Sequence, residues 1–440
     1  MNTAGADLTK FEFVSVLLET ERLDLPLQLK NVVTDLDIFE HIDLPYLTAM
    51  LSFSDSGNVY SHADLLGGEK ITITLKSNRE EASPITKTFY ILEVMSVVRT
   101  SDQHQVVNLQ LIEDIGYISN LYNVNKSYTG KGSTIIKKIS QNNLNKQVLS
   151  SDNDQQSMKV IIPNLSPMDA MCWIKNRTTT TQGYPFYLFS TLADDFLYFY
   201  DLGTMLEQEV INQKVPYKAW QGASRSMVPI ENKRLVLNYK INDFDNLYLL
   251  IKKGVIGSEY EFVDTLKNKR RQVKFDIDKD LIGPLLERGV IKKPIDSPLF
   301  SASYLHNEKS FNKYSSRSIT NIGTSSPYEK TDNRINAYSE AINSADYKLT
   351  VLSKAMNEIM KKNPLVITVD GLDYIDGDKH STIGNNIKID FLRTMEEDGS
   401  GEYLDPKLSG DYLIYAARHM FKREEYNVAM TCVKMGNYRQ

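Results

Sequence analysis

The chain has 440 residues, more than one hydrophobic core usually supports, so several domains are expected. Hydrophobic residues make up 41% and charged ones 24%, with a formal net charge of -5. This excludes wholesale disorder and provides no basic excess of the kind specific nucleic-acid binding needs.

Cys172 and Cys432 are the two cysteines, far apart in apolar runs, which argues against a disulfide framework or a zinc site. Both read as buried small hydrophobes, and a reducing site of synthesis fits. The N-terminal stretch carries Asp7 and lacks an apolar h-region, so no signal peptide is expected. No apolar run reaches the roughly eighteen residues of a membrane-crossing helix, so no membrane span is expected.

Residues 1–30 crowd Phe11, Phe13, Val14, Val16, Leu17 and Leu18 ahead of an acidic patch at Glu19, Glu21 and Asp24. They form either an arm lying on a neighbouring subunit or an element packed on its own domain. Residues 31–116 read as an antiparallel β domain that starts at Val32, Val33, Leu36 and Ile38. Turn chemistry stands at Asp55–Asn58 and Leu65–Glu69, and the alternation Ile71-Thr72-Ile73-Thr74-Leu75 gives one buried face.

Residues 117–225 change to a small α/β domain. Ile135, Ile136 and Ile139 recur at helical spacing behind Ser133, which has the chemistry of an N-cap. Ser166 and Pro167 open a second helix, with Met168, Met171, Cys172, Trp173 and Ile174 on its buried side. Tyr184–Leu202 reads as two strands joined at Leu192–Asp195.

Strands return at 226–277, where Arg234–Asp243 and Leu247–Thr265 read as extended and bend at Gly254 and Gly257. Residues 278–362 form an insertion. Its Ser-, Asn- and Tyr-rich part, Lys292–Asn333, carries Pro294, Pro298 and Pro327 and reads as extended loops. A helix then spans Asn336–Lys361: Tyr338, Ile342, Ala345, Leu349, Leu352, Met356 and Ile359 form one apolar stripe between an Asp332 cap and the Asn363-Pro364 stop. The stripe packs on a sheet or another helix, or else makes a coiled-coil seam between subunits. Residues 363–436 complete the second β domain.

Leu408–Met435 nearly repeats Thr88–Asp114. Tyr90, Ile91 and Leu92 fall opposite Tyr412, Leu413 and Ile414, while Val106, Val107 and Leu111 fall opposite Val428, Ala429 and Val433. Upstream, Gly68, Ile71, Ile73 and Leu75 fall on Gly384, Ile387, Ile389 and Phe391, and Ala49–Phe53 falls on Leu365–Val369. Strand, glycine-led strand and hairpin thus occur twice in the same order, a duplication that decides architecture.

No stretch asks for chemistry. SYTGKGS at Ser127–Ser133 lacks the phosphate-loop frame, and Asp370, Asp373, Asp376 and Asp378 miss the alternating calcium-loop spacing and read as turns. The histidines His41, His62, His104, His306, His380 and His419 show no ligand pairing; His419, mid-strand, reads as buried or at an interface. Ser224 and Ser226 in GASRS form no nucleophile elbow, and Lys267–Lys274 has no interleaved aromatics and reads as a solvated face or a phosphate-neutral interface patch. No catalytic residue, cofactor-binding residue or metal ligand is assigned, and the chain is read as a non-enzyme.

With these residues in view, the chain resembles the baseplate hub proteins of contractile-tailed phages, related to the hub part of type VI secretion spikes. The resemblance rests on the duplicated unit at Ala49–Ile112 and Leu365–Val433, on VIIPNLSPMDAMCWIKNR followed by YPFYLFST, and on the closing IGNNIKIDF and LSGDYLIYAARHMF strands. It implies an α+β, mainly β fold: two tube-like antiparallel β-barrel domains, a small α/β middle domain and a helical insertion. It further implies a homotrimer whose six similar units match a hexameric tail tube above a trimeric spike, around a DNA channel. Tape-measure and baseplate wedge proteins are further candidate partners, and the place is the virion baseplate, assembled in the host cytoplasm. The rival reading is a tail-associated cell-wall hydrolase or glycan-binding module.

Overall fold

The computed structural model describes residues 11–78, 82–101, 104–154, 157–221, 234–241, 247–264, 268–288, 305–323, 335–336, 344–362, 364–371, 374–375, 382–393, 404–405, 408–422 and 425–434. The fold is α+β and mainly β, built on one large sheet.

Its first part comprises β1 (Phe11–Glu19), β2 (Leu27–Gln28), β3 (Val33–His41), β4 (Thr48–Asp55), the short helix α1 (Val59–Ala63), β5 (Lys70–Ser77), β6 (Ile85–Arg99) and β7 (Gln105–Glu113). The strands pair antiparallel in the order β2-β1-β5-β6-β7-β4-β3. Period-two alternation does what its residues dictate: Ile71, Ile73 and Leu75 of β5 and Val107, Leu109 and Leu111 of β7 point inward and are buried. At the turn after β4, Asp55 accepts hydrogen bonds from the Val59 and Tyr60 amides at 2.8 and 3.1 Å. Of residues 1–30, the described part packs on its own chain: β1 pairs with β5 over Phe11–Glu19, while residues 1–10 lie outside the described residues.

The middle part runs through α2 (Asp114–Ser119), β8 (Ser127–Lys131), α3 (Gly132–Leu144), β9 (Val148–Ser150), β10 (Ser157–Ile161), α4 (Pro167–Lys175), β11 (Phe186–Ser190), β12 (Leu197–Asp201) and α5 (Leu202–Glu207). It holds a separate core around Ile135, Ile136, Ile139, Met171, Ile174, Leu188 and Phe199. Helix α4 starts as the sequence predicts, with Ser166 Oγ accepting the Asp169 amide at 3.2 Å and Pro167 in the first turn. Helix α3 does not. Ser133 lies inside it, and its amide is taken at 2.8 Å by the buried carboxylate of Asp154, so a distant side chain supplies the partner a local cap would have. Cys432 is buried as expected, whereas Cys172 is only half-buried.

The remaining elements are β13 (Tyr217–Gln221), β14 (Asn238–Ile241), α6 (Leu247–Lys253), β15 (Gly257–Asp264), β16 (Lys269–Asp276), α7 (Gly283–Glu287), β17 (Leu305–His306), β18 (Lys309–Ser310), β19 (Ser318–Gly323), β20 (Ile335–Asn336), α8 (Ser344–Met360), β21 (Leu365–Asp370), β22 (Asn386–Arg393), β23 (Gly410–Lys422) and β24 (Glu425–Val433). Three expectations change here. Leu247–Lys253, read as extended, is helical because its apolar residues serve a one-sided burial: Leu250 is fully buried while Tyr248, Lys252 and Lys253 face out. Gly254, at φ +78, lets the chain leave the helix into buried Val255 and Ile256. The β15–β16 hairpin, expected in the second β domain, belongs to a separate sheet in which β15 pairs parallel with β19 of the insertion. And β13, expected in the middle domain, pairs parallel with β22.

Helix α8 buries Val351, Leu352, Ala355, Met356, Ile359 and Met360 in the main core of its own chain, so its stripe is no seam between subunits. Tyr187 donates to the Asn357 side chain, and Lys253 meets Glu358 at 2.7 Å. The proposed cap Asp332 and the stripe residues Tyr338 and Ile342 lie outside the described residues.

The duplication is visible strand for strand. β5-β6-β7-β4-β3 in the first unit corresponds to β22-β23-β24-β21-β14 in the second, all antiparallel. The ladders fix residue equivalences, because Ala49 pairs Leu111 where Leu365 pairs Cys432. Val107, Leu109 and Leu111 therefore match Val428, Met430 and Cys432, one residue off the alignment read from sequence. Likewise Ile91, not Leu92, matches Ile414, since each pairs just before a bulge. Two single-residue differences explain the slip. β6 has a second bulge near Met95 that β23 lacks, and the turn from Phe421 to its partner Tyr426 is one residue shorter than that from Arg99 to Gln105.

Candidate assembly interface

Among the described residues the two units are joined by one strand pairing. β3 of the first unit lies antiparallel to the outer half of β23, from His41 opposite Ala416 to Asp35 opposite Lys422. The inner half of β23 pairs instead with β22, so one long strand serves two neighbours on the same edge.

A buried polar chain crosses this joint. His419 Nδ1 and the Tyr426 hydroxyl stand 2.7 Å apart, and His419 Nε2 lies 3.2 Å from Glu40 Oε2, with neither His419 nor Glu40 exposed. Glu40 Oε1 also accepts the Leu192 amide of the middle part. Burial pushes the Tyr426 hydroxyl far above its ordinary range. An aromatic layer lies beneath, with Phe421 stacked on Tyr426 at 4.4 Å and Phe11 of β1 set edgewise on Phe421 at 5.0 Å.

At the mouth of the joint, Asp43 gathers four segments. It takes Lys175 of α4 at 3.2 Å, Lys361 after α8 at 3.2 Å and the Tyr415 hydroxyl of β23 at 2.8 Å. Burial alone would raise its carboxyl, but Lys175, Lys361 and the Tyr415 hydrogen bond outweigh burial and bring it to about 2. On the far side of the first unit, Lys87 lies 3.5 Å from Glu113 with both side chains buried, and donates to the Asp194 carbonyl. Burial outweighs Lys87 and pushes the Glu113 carboxyl up. These contacts hold the middle part against both units.

Among the described residues, the matching edges elsewhere have no strand beside them. The outer half of β6, from Leu92 on, corresponds to the outer half of β23, yet no described strand pairs along its other edge. β14 corresponds to β3, and among the described residues it pairs only with β21. Side chains show the difference: Leu92, Met95, Val97 and Val98 are 50%, 47%, 36% and 51% exposed, and Ile241 is 49% exposed, whereas His419 and Ile38 in the internal joint are at 0%. Sequence reading found the repeat, and the resemblance implied that hairpin edges meet between subunits, but it did not say which strands those edges belong to. Which strands lack a neighbour is a property of the sheet, and the exposed valines of β6 look like any others.

The residues weighed for chemistry scatter. SYTGKGS is strand β8 leading into α3, and Asp370 sits on β21 while Asp373, Asp376, Asp378, Ser224 and Ser226 lie outside the described residues. His41 packs edgewise on Tyr415 at 4.7 Å, His62 of α1 and His104 of the turn after β6 line one open cleft beside Asp55, His306 is exposed on β17, and His380 lies outside the described residues. Among the described residues no group of three or more His, Cys, Asp or Glu is placed to hold a metal ion, and no described helix is long and apolar enough to cross a membrane.

This fold is shared with phage tail proteins. The chain is similar to the tail protein from Neisseria meningitidis MC58, with a TM-score of 0.52 and 12% identity over 97% of this chain and 96% of that one. It also aligns with the 43 kDa tail protein of prophage MuSo2 from Shewanella oneidensis (TM-score 0.49, 10% identity, 96% of this chain and 98% of that one). A third neighbour is an E. coli component of the type VI secretion system, described as structurally similar to the T4 phage tail proteins gp27 and gp5 (TM-score 0.42, 9% identity, 96% and 79%). No family model and no curated sequence matches the chain.

Proposed function

We propose that this chain is a structural component of a phage-type tail, the baseplate hub, and has no enzymatic activity. The observation that carries the reading is the duplicated β unit, repeated strand for strand inside a tail-protein fold. A chain with two like units lets three copies present six similar units. Such a ring meets a hexameric tail tube on one face and a trimeric spike on the other, with the channel for DNA along the axis. Closure also occupies strand edges that would otherwise invite stray pairing. On this reading the partners are further copies of the chain, the tube protein and the spike, and the place is the virion baseplate.

The purified chain is expected to scatter light with three times its monomer mass and to give threefold rings with six lobes in negative stain. A stable monomer that binds neither tube nor spike protein overturns the reading. Peptidoglycan hydrolysis or saturable sugar binding by the monomer would favour the rival module instead.

A further inference from the structure

We infer that the cleft beside Asp55, at the outer end of the first unit, is a docking site for an acidic peptide segment of another protein. Each chain carries it once, because the matching place in the second unit is filled. The site belongs to a single chain, alone or assembled, and goes beyond the hub reading in naming a surface and a chemistry.

The two places correspond by their ladders. Arg99 pairs Gln105 where Phe421 pairs Tyr426, and Asp55 pairs Gln105 where the Gly371 amide donates to the Tyr426 carbonyl at 3.1 Å. Arg99, Gln105 and Asp55 thus stand where the second unit has Phe421, Tyr426 and Gly371. In the second unit Phe421 and Tyr426 stack at 4.4 Å, Phe11 of β1 closes on Phe421, and a Cβ on Gly371 would lie 2.4 Å from the Tyr426 ring. With Phe421 1% exposed and Tyr426 at 0%, no space is left there. The first unit has instead an open cleft of about 700 Å³, whose wall among the described residues carries no apolar side chain.

The chemistry of the wall selects the partner. Among the described residues the one carboxylate in it is Asp55, which is 3% exposed and already accepts the Val59 and Tyr60 amides and the Gln105 side chain, the last at 2.9 Å. Burial alone would raise the Asp55 carboxyl, but the hydrogen bonds outweigh burial and lower it, so its charge is held inside the turn. The groups turned to solvent are cationic or neutral. Arg99 is exposed, with Nε donating to the Ser101 carbonyl at 3.1 Å, and a guanidinium matches a carboxylate better than any other side chain does. His62 and His104 are exposed on the same cleft, and His62 gives its Nδ1 proton to the Asn58 carbonyl at 2.8 Å, which leaves Nε2 an acceptor in the neutral ring. A cation beside an acceptor suits a peptide, which brings carboxylates and amide N–H groups together. It suits a phosphodiester backbone less, because that backbone brings acceptors only, and a DNA-binding surface makes roughly six to ten phosphate contacts. In the proposed ring the cleft recurs with the chain, so a threefold partner would engage every copy at once.

The test is fluorescence anisotropy of the purified chain at low salt with a labelled Gly-Glu-Gly-Glu-Gly-Glu peptide, against its Gly-Lys counterpart and a short labelled oligothymidylate. The expected result is saturable binding of the acidic peptide alone, at one per chain, weakened roughly tenfold or more in Arg99→Glu. Arg99→Gln is the milder second variant, and both are expected to keep the fold by circular dichroism because Arg99 is exposed. Lys422→Ala, at the matching end of the second unit, is expected to bind as the parent does. Two peptides per chain, no saturation up to millimolar peptide, equal binding of the oligothymidylate, or binding unchanged in both Arg99 variants overturns the inference. Light scattering of the same samples separates it from the hub reading: a monomer that still binds one peptide defeats the ring and supports the cleft, whereas a trimer that binds none defeats the cleft and leaves the ring.

Discussion

The first and second β units share a strand order and differ in how each is finished. In the first, β1 lies antiparallel to β5, and β2 leads through a turn at Leu29 to Val32 straight into β3. In the second, β13 lies parallel to β22 and is bridged from Lys218 to Leu235, just ahead of β14. The strands between are fixed by a shared ladder and shared inward faces, whereas the closing strand needs only to cover the same edge, from either direction. The turns diverge more. Ile42 to Leu47 suffices between β3 and β4, while residues 242–364 stand between β14 and β21, in keeping with the small entropic cost of lengthening a surface connection.

The units also differ in what covers them. Gly384 of the second and its counterpart Gly68 each sit against an aromatic side chain of the middle part, a Cβ falling 2.9 Å from the Phe189 ring and from the Tyr117 hydroxyl, but the strands beside them differ: Leu413 of β23 is 1% exposed and its counterpart Tyr90 of β6 is half-buried. The largest expected effect exploits this. Leu413→Asp sets an unpaired carboxylate at a position 1% exposed and should cost about 4 kcal/mol or more, preventing soluble expression. Tyr90→Asp, at the matching half-buried position, should leave soluble protein. Equal solubility of the two variants would erase the distinction between a covered and an open unit.

A smaller effect probes the shared core. Leu109→Ala and Met430→Ala remove equivalent buried side chains, and each should destabilise by about 2–5 kcal/mol in urea titrations, within roughly 1.5 kcal/mol of one another. A near-zero value for either would show that the equivalence taken from the ladders is not one of packing.

The smallest effect lies at the clamp between units. The folded-state pKa of Asp43 is depressed to about 2, below the ordinary carboxylate value of about 3.9, so its contribution is present above pH 4 and fades as pH falls towards 2. Asp43→Asn should lower the melting temperature at neutral pH and flatten its decline between pH 4 and 2. Because the Asp43 side chain is 30% exposed, solvent screening keeps the change modest. Parallel curves for the two proteins would remove Asp43 from the clamp.

Much was legible in advance because it depends on local rules. Alternation in β5, the proline-led start of α4 and the Leu192–Asp195 turn are set by residues a few positions apart. Register was not: a constant offset matches Val106 to Val428, but a single extra bulge near Met95 and a shorter turn shift the true partner to Val107. Leu247–Lys253 misled for a related reason, since a short apolar run suits a strand and a helix alike until its buried side is known.

By itself, then, the order of residues determined that one β unit was written twice and which faces of its strands turn inward, because period and turn chemistry act over a few residues. Only the tertiary structure decided that β3 fills the outer edge of β23 while, among the described residues, no strand lies along the matching edge of β6. Hydrogen-bond partners in a sheet come from strands remote in sequence, and an unfilled edge is defined by a neighbour that is missing.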